Sequence, residues 1–152
     1  MDNKFDITDL MINDIVLCHG LPVQIASIVD DGTIGFTTKD GDFQEDEFEN
    51  MQPIMITDQL LEDSLFKVVE EDGDVVFRFR ERRDGYSVVV DLRYNFPTET
   101  YKVKVYGMNG SAVVTVPEST GEVNWLHELQ HYFKRYRLDT IWDVSIKIDT
   151  ED

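Results

Sequence analysis

Between residues 12 and 54 the apolar positions fall in short runs separated by polar breaks. Asp14-Ile15-Val16-Leu17-Cys18 starts a strand, His19-Gly20-Leu21-Pro22 reads as a break, and Val23-Gln24-Ile25-Ala26-Ser27-Ile28 alternates with period two. Asp31-Gly32 and Asp40-Gly41 are hairpin signals, because a tight turn needs the positive φ that Asp and Gly tolerate. Short, closely spaced strands predict a small curled sheet of SH3-like type. A β-unit of about 45 residues buries little core, so it is expected to dock on the remainder of the chain.

A brief helix is predicted after Ile56. Thr57 caps it, Asp58 complements its positive end, and Ile56 with Leu61 fits a hydrophobic staple. The middle of the chain reads as an antiparallel meander of about five strands with one buried face. Asp72-Gly73, Asp84-Gly85, Asn95-Phe96-Pro97-Thr98 and Asn109-Gly110 supply its turns. Val75, Phe77 and Phe79 alternate with Val76, Arg78 and Arg80; Val88, Val90 and Leu92 alternate with Val89, Asp91 and Arg93. Residues 124–138 carry the longest helical pattern, with Asn124 as the expected cap. At about 100° per residue, Trp125, Leu126, Tyr132, Phe133 and Tyr136 fall within roughly 60° of Leu129. This stripe is expected to cover the inward face of the meander. The apolar run 141–148 suggests a returning edge strand. The fold class is therefore α+β, divided into residues 1–56 and 57–152 sharing one core.

Charge changes the functional picture. The 152 residues carry a net charge of −17, with −10 of it before Thr57. Such a charge opposes direct binding to nucleic acid or anionic membrane. No apolar run approaches the length of a membrane span, and the sequence contains no basic-then-apolar leader, so a cytoplasmic protein is expected. The single cysteine, Cys18, excludes an intrachain disulfide framework and a Cys-rich zinc site. No cofactor motif stands out.

The chemistry-bearing motif is His127-Glu128-Leu129-Gln130-His131, which matches H-E-x-x-H. Histidines at i and i+4 can chelate zinc, with Glu128 as general base. On the wheel, however, His127 and His131 fall about 160° from Leu129, on the polar side with Lys134. They are expected to be at least partly exposed and to lack a third ligand. Lys134 and Arg137 stand where the extended H-E-x-x-H-x-x-G-x-x-H motif requires Gly and His. A downstream carboxylate ligand would have to be Asp139, Asp143, Asp149, Glu151 or Asp152. Asp40, Asp42, Asp46 and Glu47 offer calcium-type oxygens, but Glu45 stands where an EF-hand loop needs Gly. A solvated acidic loop, with Phe43 and Phe48 turned inward, is the expected arrangement. Cys18 and His19 make a poor nucleophile pair, since adjacent strand residues point to opposite faces. The outer meander face gathers Arg78, Arg80, Arg82, Arg93, Lys102 and Lys104. That pattern suits docking of an acidic partner or a nucleic-acid backbone, and it is also the pattern of an ordinary solvated sheet face.

The strings WLHELQHYF at 125–133, DLMINDIV at 9–16 and MQPIMIT at 51–57 resemble segments of an uncharacterised family of Bacteroides-type gut bacteria, their phages and mobile elements. The 125–133 string WLHELQHYF is similar to its "YVHELQN-LY" helix. The 9–16 string DLMINDIV is similar to its "LRIGNWV" opening, and the 51–57 string MQPIMIT to its "xxPIPLT" segment. The family often has Gln at the position of Glu128 and Asn at that of His131, which implies that the zinc motif is incidental. This chain continues beyond the helix where family members tend to end. The resemblance implies no activity. Together these readings favour a non-enzymatic interaction module of mobile-element origin with an unidentified protein partner. An acidic DNA mimic that inhibits a DNA-binding protein and a small zinc hydrolase are the alternatives.

Overall fold

The computed structural model describes residues 5–110, 112–139, 141–143 and 146, with backbone alone for 113–119. Described strands form two antiparallel sheets, and two α-helices accompany them. The chain divides into two compact units: Met1–Met55 with Trp125–Asp152, and Ile56–Asn124. This differs from the expected division, because residues 125–138 belong with the N-terminal strands and not with the meander.

The first unit holds β1 (Ile15–Cys18), β2 (Leu21–Ile28), β3 (Thr33–Thr37), β4 (Phe43–Glu47) and β5 (Met51–Gln52), in the order β4-β3-β2-β1-β5. A 3-10 turn, Phe48–Asn50, separates β4 from β5. His19-Gly20 is no break but a two-residue hairpin: both residues have positive φ, 52° and 82°, and Cys18 pairs with Leu21. That geometry matches the right-handed twist of the flanking strands, so β2 begins at once and includes Pro22. Val16, Cys18, Val23, Ile25, Ile34, Phe36 and Met51 form the core, with Leu10 closing it and Phe48 packed against it. Phe43 does not turn inward; it is exposed. Its ring covers Gly35, where a Cβ would lie 2.8 Å from Phe43 and 2.2 Å from the Ser27 hydroxyl.

The helix of this unit, α2, spans Leu126–Arg135 and is shorter than the sequence pattern suggests. Its N-cap is Trp125, whose N–H is accepted by Glu128 Oε1 at 3.0 Å. Upstream, Met55 bridges Trp125 in antiparallel fashion, and the Leu126 N–H donates to the Ile54 carbonyl at 2.8 Å. The helix stops because Arg137 adopts φ 58° and Leu138 turns back: Leu138 N–H bonds the Phe133 carbonyl, and Arg137 N–H that of Lys134. This is a Schellman-type ending without its usual glycine. Trp125, Leu129 and Phe133 are buried, and Trp142 packs on Phe133 with ring centroids 4.9 Å apart. Ile141, Trp142, Asp143 and Ile146 lie in no strand, and the remainder of the 141–148 run lies outside the described residues.

The second unit holds α1 (Asp58–Glu62) and a meander of β6 (Lys67–Glu71), β7 (Asp74–Arg83), β8 (Tyr86–Asn95), β9 (Thr100–Asn109) and β10 (Ala112–Val123), in sequential order. Thr57 Oγ1 accepts from the Leu60 N–H at 3.1 Å, capping α1. Phe77, Phe79, Val88, Val90, Leu92, Tyr101, Val103 and Val105 are buried along the inward face, with Leu60, Leu61 and Phe66 from the α1 region. The β9–β10 register shifts between Val114 and Ser119, where Pro117 has no N–H to give the ladder.

Candidate functional site

Gln130 and His131 of the H-E-x-x-H segment join α2 to the start of β1. Buried Gln130 accepts the Ile15 N–H at 2.9 Å and donates to the Asn13 carbonyl at 3.2 Å. His131 Nε2 lies 2.8 Å from Oδ2 of Asp14, and Lys134 Nζ lies 3.5 Å from Oδ1 of the same carboxylate. Asp14 is completely buried and also accepts the Met11 N–H at 2.8 Å. Glu128 caps the helix. His127 corrects the expectation from the wheel: it is 1% exposed, not partly open. Its ring stacks on Trp125 and meets Phe5 and His131 edge-on, at centroid distances of 5.6, 5.3 and 5.7 Å. Neither ring nitrogen has a hydrogen-bond partner among the described residues. Burial pushes the His127 pKa below its ordinary value, against the pull of Asp14 and Glu128. The wheel fails here because it assumes a helix buried on one side only. The described side of the motif packs on Phe5 and the start of β1, so polar positions are buried too.

The basic residues fall into two groups. Arg78 is committed: its Nε and guanidinium Nη2 grip Asp91 at 2.7 and 2.9 Å, and it also reaches Glu71 at 3.2 Å. Tyr106 donates its hydroxyl to the same Asp91 at 2.8 Å. Burial, the hydrogen bond to Asp91 and its charge push the Tyr106 pKa to about 12. Arg93 is held by Glu71 at 2.7 Å and Asp74 at 3.3 Å. Arg80, Arg82, Lys102 and Lys104 are exposed. Arg80, Arg82 and Lys102 pair with none of the described acids, and Lys104 lies over the Tyr106 ring at 5.4 Å. Two hollows cross this face. One, of about 500 Å³, includes Arg80, Arg82 and Tyr86; the other, of about 480 Å³, includes Arg93, Lys102, Lys104 and Tyr106. Met108 lines both.

A third cluster is not recognisable in the sequence. Cys18, His19 and Asp46 bring their ligand atoms within 4.8 Å of one another, and no other such trio occurs among the described residues. The hairpin at His19 removes the objection that neighbours on a strand point apart, since His19 has left the strand. Its Nε2 lies 2.8 Å from Asp46 Oδ2, and the Cys18 thiol donates to that oxygen at 3.7 Å. Oδ1 of Asp46 is taken by Asn50 Nδ2 and the Glu47 N–H, each at 2.7 Å. The Asn50 and Glu47 bonds, with His19, hold the Asp46 pKa down at about 2. Burial and the Asp46 charge push the Cys18 thiol up to about 11, so it is a poor nucleophile. Asp40, Asp42 and Glu47 join no comparable oxygen cage among the described residues. Of the downstream carboxylates, Asp149, Glu151 and Asp152 lie outside the described residues.

These elements define an α+β protein built on two antiparallel sheets. No family model matches the chain, and neither the curated proteins nor the solved structures contain a significant match to it.

Proposed function

We propose that the protein is a non-enzymatic interaction module that docks an acidic protein segment on the outer face of the meander. One observation carries this reading. Four exposed cations, Arg80, Arg82, Lys102 and Lys104, border two hollows that meet at Met108, on a chain of net charge −17. Arg78 and Arg93 serve a different purpose. Their ion pairs with Asp91, Glu71 and Asp74 hold together the wall of the second hollow, which Glu71, Asp91 and Arg93 line. The overall negative charge repels a nucleic acid, charged at every phosphate, more strongly than a short protein segment with a few Asp or Glu beside an apolar anchor, so the segment is the better complement. Tyr106 and Met108 offer the surface for that anchor.

The first sheet fits an SH3-like unit. Its strand order and the 3-10 turn before β5 support this, as does the approach of Asp46 on β4 to Cys18 on β1. Three strand spacings in a flat sheet would separate them by about 14 Å. The resemblance of the three sequence blocks supports a mobile-element origin, and the genes flanking this one would test that.

The docking test is a titration with an oligo-glutamate peptide carrying one aromatic residue, read by amide and side-chain chemical shifts. The expected shifts map to Arg80, Arg82, Lys102, Lys104 and Met108. Charge reversal by Arg80→Glu with Arg82→Glu should weaken binding at least tenfold and flatten its salt dependence. Unchanged affinity with an unchanged salt response would remove this face from consideration.

A further inference from the structure

We infer that Cys18, His19 and Asp46 form a zinc site. All three residues belong to the first unit, so the site is independent of the docking reading. The three side chains supply thiol sulfur, imidazole nitrogen and carboxylate oxygen. A thiolate with an imidazole selects zinc over the hard cations magnesium and calcium, which prefer oxygen cages.

The three donor atoms are close enough to share one ion. Zinc holds sulfur at about 2.3 Å and nitrogen or oxygen at about 2.0–2.2 Å, so tetrahedral donors stand roughly 3.3–3.6 Å apart. Here the sulfur-to-oxygen distance is 3.7 Å and the nitrogen-to-oxygen distance 2.8 Å. A movement of the exposed imidazole away from Oδ2 opens the space the ion needs. His19 is free to make it, since its side chain is 64% exposed. Asp46 is already oriented for the task. Asn50 and the Glu47 N–H hold Oδ1, which leaves Oδ2 directed at the sulfur and the imidazole. Such outer partners are what fix a metal-ligating carboxylate in place.

On binding, the Cys18 S–H bond breaks and its proton passes to solvent, while the neutral His19 ring gives up the Nε2 proton it shares with Asp46 and takes one at Nδ1, changing tautomer with no net proton released. Sulfur, His19 Nε2 and Asp46 Oδ2 each donate an electron pair to the ion, and no oxidation occurs. The ion exchanges the hydrogen bonds around Oδ2 for three coordinate bonds. It also ties the β1–β2 hairpin to β4. Three protein ligands leave the fourth position to a water on the solvent side, where His19 lies.

The test titrates chelator-treated protein with Co²⁺, followed by visible and near-ultraviolet absorption, and with Zn²⁺, followed by calorimetry and thermal melting. One equivalent of Co²⁺ should produce tetrahedral bands with thiolate-to-cobalt charge transfer. One equivalent of Zn²⁺ should displace the Co²⁺; added instead to the metal-free protein, it should release about one proton at pH 7 from the thiol and raise Tm. Because Cys18 is buried, the decisive variant is His19→Asn. Asn tolerates positive φ, so the hairpin is kept. This variant should fold normally, bind at least tenfold more weakly and lose the zinc-dependent rise in Tm. Asp46→Asn should weaken binding as well. Absence of stoichiometric binding, binding without thiolate charge transfer, or binding unchanged in His19→Asn would each overturn the site.

Discussion

His127 shows what a single buried polar side chain costs. It sits among Phe5, Trp125 and His131 with both ring nitrogens unpaired among the described residues, so the neutral ring is the form this pocket accepts. Its folded pKa is depressed, whereas the unfolded chain titrates near pH 6.5. Below that value the unfolded state therefore binds the extra proton, and folding loses stability as pH falls. The full contribution is present above about pH 6.5, and the loss approaches about 1.4 kcal/mol per pH unit on acidification. His127→Phe suits the aromatic surroundings and has nothing to protonate. Denaturant melts between pH 7 and pH 5 should show a smaller loss for His127→Phe than for the wild type. An equal loss in both would show that another group controls the acid sensitivity. The motif containing this residue is plain in the sequence, but its environment is not. A helical wheel ranks positions by their own polarity, and it cannot know that Phe5 and Asp14 will cover the polar side.

Elements are legible wherever a local rule determines them. Asp72-Gly73 turns with both residues at positive φ, as its dipeptide signal requires, and Thr57 caps α1 through its hydroxyl. The ends of α2 are not legible, for two reasons. Arg137 takes the left-handed conformation that normally announces itself as glycine. At the other end the cap is Trp125, whose side chain offers no acceptor, and Glu128 makes the capping bond from the third helical position. That bond gives Glu128 a structural task distinct from general-base chemistry. Glu128→Ala should cost about 1 kcal/mol of stability, the usual value of a lost cap bond, while Glu128→Gln retains an acceptor and should cost little. Urea melts of the two variants decide this. Equal destabilisation would mean that the charge at the helix start matters and the bond does not. The cluster of Cys18, His19 and Asp46 is hidden by the same kind of failure. Its two parts lie 27 residues apart, and only the His19-Gly20 hairpin turns the imidazole toward Asp46.

At the scale of the whole molecule, a linear reading of the chain places a boundary near residue 56 but assigns the helix to the wrong side of it. The second unit is an insertion between Met55 and Trp125, and the helix completes the unit that began the chain. Hydrophobic periodicity shows that a helix has a face to bury, but carries no label for the surface that receives it. Charge, by contrast, is fully legible and has a direct physical consequence. With 31 acids against 14 bases, folding concentrates like charges that the extended chain keeps apart. Added salt screens this repulsion, since the Debye length falls from about 30 Å at 0.01 M to 10 Å at 0.1 M. Salt also weakens ion pairs, but those of Arg78 with Asp91 are shielded by a carboxylate that is 8% exposed and so respond less. Repulsion is the larger effect. Tm should therefore rise by a few degrees between low salt and about 0.5 M sodium chloride. Over the same range, binding of the acidic peptide should weaken. A Tm that falls with salt would mean that local ion pairs outweigh the net charge in stabilising this fold.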